Sequence, residues 1–280
     1  MILDEVSTPE DLGLDAAWPS QPTVIRNAAS WTSLLLGTWK GLRQQLLSGK
    51  LDLPQGVARR TVDGQVTPLR IGERSRPSGG ESWSFVDIAS WHQPTADVVD
   101  DAWTGYRCDR SLSVFWSGPA STGFPTHYDT FHSILVQLSG SKAWRLGPGP
   151  IGTPSPHQTW PTIRGQLPNV GKLTLSRARD VSLSAGEALW LPPGWLHAGA
   201  ANPKGSLHAT WGLIPYSWAE LIQRLAGSAH HLAALRHAAT TPRASMEELL
   251  DAVAEAPQRM AEELAEVDLP ADAWVEEFPC

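Results

Sequence analysis

The middle of this chain is a succession of short runs rich in β-branched and aromatic residues. They read S-L-S-V-F-W (111–116), H-S-I-L-V-Q-L (132–138), A-W-R-L (143–146), D-V-S-L (180–183), E-A-L-W-L (187–191) and H-A-T-W-G-L (208–213). Turn signals separate them: S-G-S-K, G-P-G-P, S-A-G-E and P-P-G-W. Short strands at close spacing, with no helical pattern between them, predict an antiparallel sandwich or barrel.

Helical patterns flank this region. From Trp31 to Leu53 apolar residues recur at helical spacing (Leu34, Leu35, Leu42, Leu46), with Ser30 as the expected cap. Between about 57 and 95 the chain is rich in Gly, Pro, Ser and Arg and reads as loop with short strands at most. After Pro215 the composition turns to Ala, Leu, Glu, Arg and His. Two helices are predicted over 217–240 and 244–266, the second capped by Ser245 ahead of Glu247 and Glu248. Their apolar stripes, Leu221, Leu225, Leu232 and Leu235, then Leu249, Leu250, Val253 and Leu264, need a partner, either the barrel or a second subunit. The expected division is a main domain over 1–215, with its N-terminal helix and strands, and a C-terminal helical segment over 216–280.

Composition narrows the function classes. With 280 residues, 41% of them hydrophobic, the chain buries a large core. No run approaches the roughly 18 apolar residues of a membrane span. The N-terminus, M-I-L-D-E-V-S-T-P-E, is acidic where a secretory signal is basic and then apolar, so the expectation is a cytoplasmic protein. A net charge of -7 argues against a nucleic-acid partner, although Arg59, Arg60 and Arg76 make a local basic group. The two cysteines, Cys108 and Cys280, form neither a disulfide framework nor a thiolate zinc site. Any metal therefore rests on His and carboxylate. Fourteen Trp against three Tyr and five Phe leave two readings, Trp as core filler or a Trp-lined cleft.

The stretch T-H-Y-D-T-F-H (126–132) raises the metal question. On a strand, residues i and i+2 share a side, so His127 and Asp129 would face the interior and Tyr128 the other surface. Taken alone, the pair is equally a polar strand. A third ligand is available in L-W-L-P-P-G-W-L-H-A-G (189–199), where a strand and a tight turn deliver His197. Two His and one carboxylate with open positions opposite is the donor set of non-haem Fe(II) oxygenases.

These pieces carry a family resemblance. P-T-H-Y-D-T-F-H-S-I-L-V-Q-L-S-G-S-K-A-W-R-L and L-S-A-G-E-A-L-W-L-P-P-G-W-L-H-A-G resemble the Jumonji-C (JmjC) domain, the cupin-like fold of 2-oxoglutarate- and Fe(II)-dependent oxygenases. P-T-V-I-R-N-A-A resembles the family's N-terminal strand. The resemblance implies a mainly β fold with helical additions, a double-stranded β-helix (cupin or jelly-roll) core and a C-terminal helical segment. It implies His127, Asp129 and His197 as both catalytic residues and metal ligands, Lys142 in G-S-K-A-W as partner of the distal carboxylate of 2-oxoglutarate, and Ser133 at a position of polar contact with that co-substrate. Members often hold Thr or Ser a few residues before H-x-D. Here Phe124 stands three before His127, with Thr122 and Thr126 nearby, which leaves the other co-substrate hydrogen bonds unassigned.

The implied reaction consumes Fe(II)-bound 2-oxoglutarate and O2, releases succinate and CO2, and hydroxylates a C–H bond. The compact size resembles members that act on a peptidyl or amino-acid side chain, with the Arg- and Trp-rich 57–116 region expected at the cleft mouth and a homodimer expected through the C-terminal helices. A small metabolite is the alternative substrate. A metal cupin without 2-oxoglutarate, or a ligand-binding cupin, are the other classes. His132 and His208 read as ordinary core or surface residues, and His157, His230, His231 and His237 carry no assignment.

Overall fold

The computed structural model describes residues 4–14, 17–71, 75–106, 108–121, 126–150 and 178–215. The expected C-terminal helices with Ser245, and His157, His230, His231, His237, Thr122 and Phe124, lie outside the described residues. By packing, the chain divides into a unit of Met1–Ser217 and a unit of Trp218–Cys280. Among the described residues, no helix is long and apolar enough to cross a membrane.

The first unit is mostly β-sheet with few helices. The strands are β1 (Asp4–Val6), β2 (Thr23–Ile25), β3 (Ala58–Val62), β4 (Gln65–Pro68), β5 (Glu81–Phe85), β6 (Cys108–Ser117), β7 (His132–Pro150), β8 (Arg179–Ser184), β9 (Ala188–Leu191) and β10 (Trp195–Pro215). They pair in the order β1-β2-β9-β7-β10-β6-β5-β3-β4, with β8 beside β7. The pairs are antiparallel apart from the parallel β1 and β2.

The S-G-S-K signal is not a hairpin. His132–Pro150 is one long strand that changes partner midway, Ser133–Val136 pairing with β9 and Ser141–Leu146 with β8. The reason lies across the sheet. Gly140 takes φ +70 and packs so close to β10 that a Cβ there would lie 2.4 Å from the Gly205 carbonyl oxygen. The strand bends, and β10 absorbs the bend by register shifts between Ala201 and Ser206 and between Leu207 and His208. The S-A-G-E signal is a true turn joining β8 to β9, with Gly186 at φ +93 and its N–H donated to the Gln137 carbonyl at 3.0 Å.

Helix α1 spans Ala29–Leu47 and buries Leu35, Trp39, Leu42 and Leu46, one stripe at helical spacing. The cap differs from expectation: Ser30 sits inside the first turn, Ala28 is the N-cap, and the Asn27 side chain accepts the Ala29 N–H at 3.3 Å. A second helix, α2 (Gln93–Ala102), follows the predicted loop. Its sequence signature is faint because only Thr95 and Val99 are buried. The segment 57–95 also contains β3, β4 and β5 rather than loop alone.

Tryptophan resolves largely as core. Trp190 and Trp211 are fully buried, Trp83 and Trp103 nearly so, and Trp103 meets Trp211 edge-on at 5.5 Å. Each such ring removes on the order of 150–250 Å² from water, so a few of them dominate the core energetics. A separate cluster of Val24, Leu135, Trp144, Leu146, Val181, Leu183, Leu189 and Leu191 lies on the second face. Leu135 and Trp144 of that cluster also line the cavity described next.

Candidate metal centre

The structure brings His127, Asp129 and His197 together: one donor atom from each lies within 4.8 Å of the others. His127 Nε2 stands 4.0 Å from Asp129 Oδ1, and His197 Nε2 stands 3.8 Å from Asp129 Oδ2. With bonds of about 2.0–2.2 Å, one first-row ion spans such separations. Nitrogen, nitrogen and carboxylate oxygen fit a borderline metal ion, and the donor set leaves further coordination positions open.

How the ligands are held departs from the expected strand. Residues 127–129 join no ladder. A single bridge holds them, the His127 N–H donating to the His197 carbonyl at 3.0 Å and the His197 N–H donating back at 2.7 Å. The Asp129 carbonyl accepts the Gly194 N–H at 2.8 Å, so the P-P-G-W turn anchors both ends of the site. Tyr128, which separates His127 from Asp129 in the chain, is buried.

His197 is oriented by its neighbour. Its Nδ1 donates to the Trp195 carbonyl at 2.9 Å, which leaves Nε2 as the lone-pair nitrogen. Burial, and then the nearby His127, push its pKa down to about 4, so the ring is neutral near pH 7 and ready to ligate. Ser133 donates its hydroxyl to Asp129 Oδ2. That hydroxyl is thus committed to Asp129, and Ser133 is not among the residues lining the cavity.

Lys142 is 5% exposed, which excludes the water-exposed hairpin lysine. Its ammonium lies 4.5 Å from the centroid of the Trp144 ring. Among the described residues no carboxylate pairs with it, and burial pushes its pKa down to about 7. Gly199 makes room: a Cβ there would lie 2.5 Å from Lys142 Cε.

The triad and Lys142 line one cavity of about 110 Å³. Sequence reasoning missed several of its walls. β6 contributes Ser111, Ser113 and Phe115, and β10 contributes His208 and Thr210. The signal available was strand parity, since each set recurs at i and i+2. The ordinary reading holds for His132, which accepts the Trp190 indole N–H at 3.0 Å and stacks on Trp18. It does not hold for His208, which lines the cavity and has an unpartnered Nδ1. Burial, and then the charge of Lys142, lower the His208 pKa well below its ordinary value. Of the Arg- and Trp-rich 57–116 region, among the described residues only β6 reaches this cavity; Trp83 and Trp103 pack into the core.

Comparison with known proteins agrees with this geometry. Residues 90–221 match the family model of the JmjC domain. The chain is 31% identical over 140 residues to the bifunctional lysine-specific demethylase and histidyl-hydroxylase NO66 of Drosophila mojavensis, covering 47% of this chain and 15% of that protein. It is 28% identical over 221 residues to the protein of the same name from Drosophila persimilis, covering 74% of this chain and 31% of that one. The chain therefore spans less than a third of the length of these curated relatives. A solved structure of YcfD, a ribosomal oxygenase from Escherichia coli, in complex with cobalt and succinic acid superposes with TM-score 0.53 at 20% identity, covering 95% of this chain and 68% of the other, and shows the shared fold.

Proposed function

Given the JmjC domain at residues 90–221, we propose that this chain is an Fe(II)- and 2-oxoglutarate-dependent oxygenase that hydroxylates a C–H bond of a peptidyl or amino-acid side chain. One observation carries the reading: three metal donors converge beside a buried lysine that has no anionic partner among the described residues. His127, Asp129 and His197 would hold the ion. Bound Fe(II) supplies the activation of O2, with 2-oxoglutarate oxidised to succinate and CO2.

The chain's own residues bind and orient. Lys142 pairs with the distal carboxylate of the co-substrate, which removes the cost of a buried lone ammonium. Ser133 and the Trp195 carbonyl fix the rotamers of Asp129 and His197, the support that tunes metal sites. Trp144, Phe115 and Phe131 line the cavity and keep water away. The likeness to a bifunctional lysine-specific demethylase and histidyl-hydroxylase, and to ribosomal oxygenase 1 of Gallus gallus, supports a protein substrate over a small metabolite. The fold is assigned as a double-stranded β-helix. A homodimer through residues 216–280 and a cytoplasmic location complete the proposal.

The test is succinate formation from 2-oxoglutarate and O2 by Fe(II)-loaded protein. His127→Ala abolishes turnover, and Lys142→Ala raises the 2-oxoglutarate requirement by about 10²-fold, the scale of stranding one partner of a buried charge pair. Succinate formation unchanged in Lys142→Ala would remove Lys142 as the co-substrate anchor. No succinate from the wild type, together with no binding of 2-oxoglutarate, would instead indicate a cupin that does not use 2-oxoglutarate.

A further inference from the structure

We propose that His208 and Thr210 complete the seat for the distal carboxylate of the co-substrate beside Lys142, and that His208 makes this site selective for a dicarboxylate over a monocarboxylate 2-oxo acid. The inference rests on the functional reading above and goes beyond it in assigning residues that neither the H-x-D motif nor the buried lysine identifies.

Three facts carry it. First, His208 and Thr210 stand two apart on β10, and both line the cavity that Lys142 and the metal donors line. Second, His208 Nδ1 and Thr210 Oγ1 are buried and without a hydrogen-bond partner. A native fold rarely leaves such groups unmade, because each costs the full desolvation of a polar atom. Third, the His208 ring cannot turn elsewhere to find a partner. It lies parallel to Phe115 at 4.9 Å and meets Trp144 edge-on at 5.3 Å.

The chemistry of the missing partner follows. Lys142 requires an anion, Thr210 carries a hydroxyl donor, and a neutral imidazole carries one N–H. A carboxylate, with two oxygens and about four lone-pair sites, accepts from all three. The Trp144 indole N–H is also unpartnered, but that ring already presents its face to the Lys142 ammonium. Ser133 makes no competing claim, because its hydroxyl is given to Asp129. A monocarboxylate 2-oxo acid would use the metal end of the site alone and leave His208, Thr210 and Lys142 unsatisfied. A site built for hydrogen bonds discriminates strongly against a ligand that lacks the matching group.

The experiment is calorimetric titration of the cobalt(II)-loaded protein, without O2, with 2-oxoglutarate and separately with 2-oxobutanoate. His208→Phe keeps the flat ring against Phe115 and removes the N–H; Thr210→Val keeps the volume and removes the hydroxyl. The expected result is at least a tenfold loss of 2-oxoglutarate affinity in His208→Phe and a smaller loss in Thr210→Val. Binding of 2-oxobutanoate stays within twofold of wild type in both. Unchanged affinity for both ligands in both variants, as when water satisfies these groups, would overturn the inference while leaving the oxygenase reading intact. An equal loss for both ligands would reduce the two residues to packing and overturn it as well. Wild-type protein that binds neither 2-oxo acid would sink the oxygenase reading and the inference together.

Discussion

At the scale of single residues, Lys142 states the tension in this site most plainly. Burial holds its pKa at about 7 against 10.5 for the free side chain. Between those two values the unfolded chain binds more protons than the folded one, so this group's contribution to stability rises with pH across that window. Below about pH 7 the folded protein carries the whole cost of a desolvated charge. Replacing it with an apolar side chain of similar length removes that cost. Lys142→Met should therefore stabilise the metal-free, ligand-free protein near pH 7 by about 1–4 kcal/mol, the range found when buried charges give way to apolar groups. The gain should shrink toward pH 10.5. Urea unfolding at several pH values measures both; a variant no more stable than wild type at pH 7 would show that the ammonium already has a partner.

At the scale of elements, the site depends on two long strands that bend together. β7 and β10 pair along most of their length, and their shared bend sits where Gly140 faces Gly205 and Ser206. Gly140 needs its hydrogen twice over. Its φ of +70 disfavours a side chain, and the Gly205 carbonyl stands where a Cβ would go. Gly140→Ala should cost about 2–3 kcal/mol, with the left-handed backbone alone contributing roughly 1–2. Thermal or urea unfolding reads this directly. An alanine variant within 0.5 kcal/mol of wild type, roughly the scatter of neutral surface changes, would mean that the strands have room to shift. The bend matters for function because Lys142 lies two residues beyond Gly140, and its aim into the cavity follows from that change of partner.

At the scale of the whole molecule, the described unit already contains the three candidate metal donors and the cavity. The homodimer is therefore a separate proposition, supported by the leucine stripes read in residues 216–280. Light scattering at micromolar concentration should give the mass of two chains. A single-chain mass would remove the dimer and leave the metal site untouched.

The residues alone pointed to the strand content of the middle of the chain and to His127, Asp129, His197 and Lys142 as candidates for one site. These were legible because side-chain chemistry and local period are written residue by residue: H-x-D, P-P-G-W-L-H and the alternating runs each lie within about a dozen positions. The α1 stripe was legible for the same reason, except that Leu34 is exposed and Trp39 takes its place in the buried face, while α2 was not legible, since two buried residues make too thin a pattern. Packing between distant segments was needed to show that S-G-S-K is a bend in one strand, that His127 and Asp129 hang from a single bridge to His197, that Ser133 serves Asp129, and that His208 and Thr210 reach the cavity of Lys142. The physical reason is register. Which face a residue presents, and to which partner, depends on bulges and shifts between strands far apart in the chain, and a shift of one residue moves every later side chain to the other face.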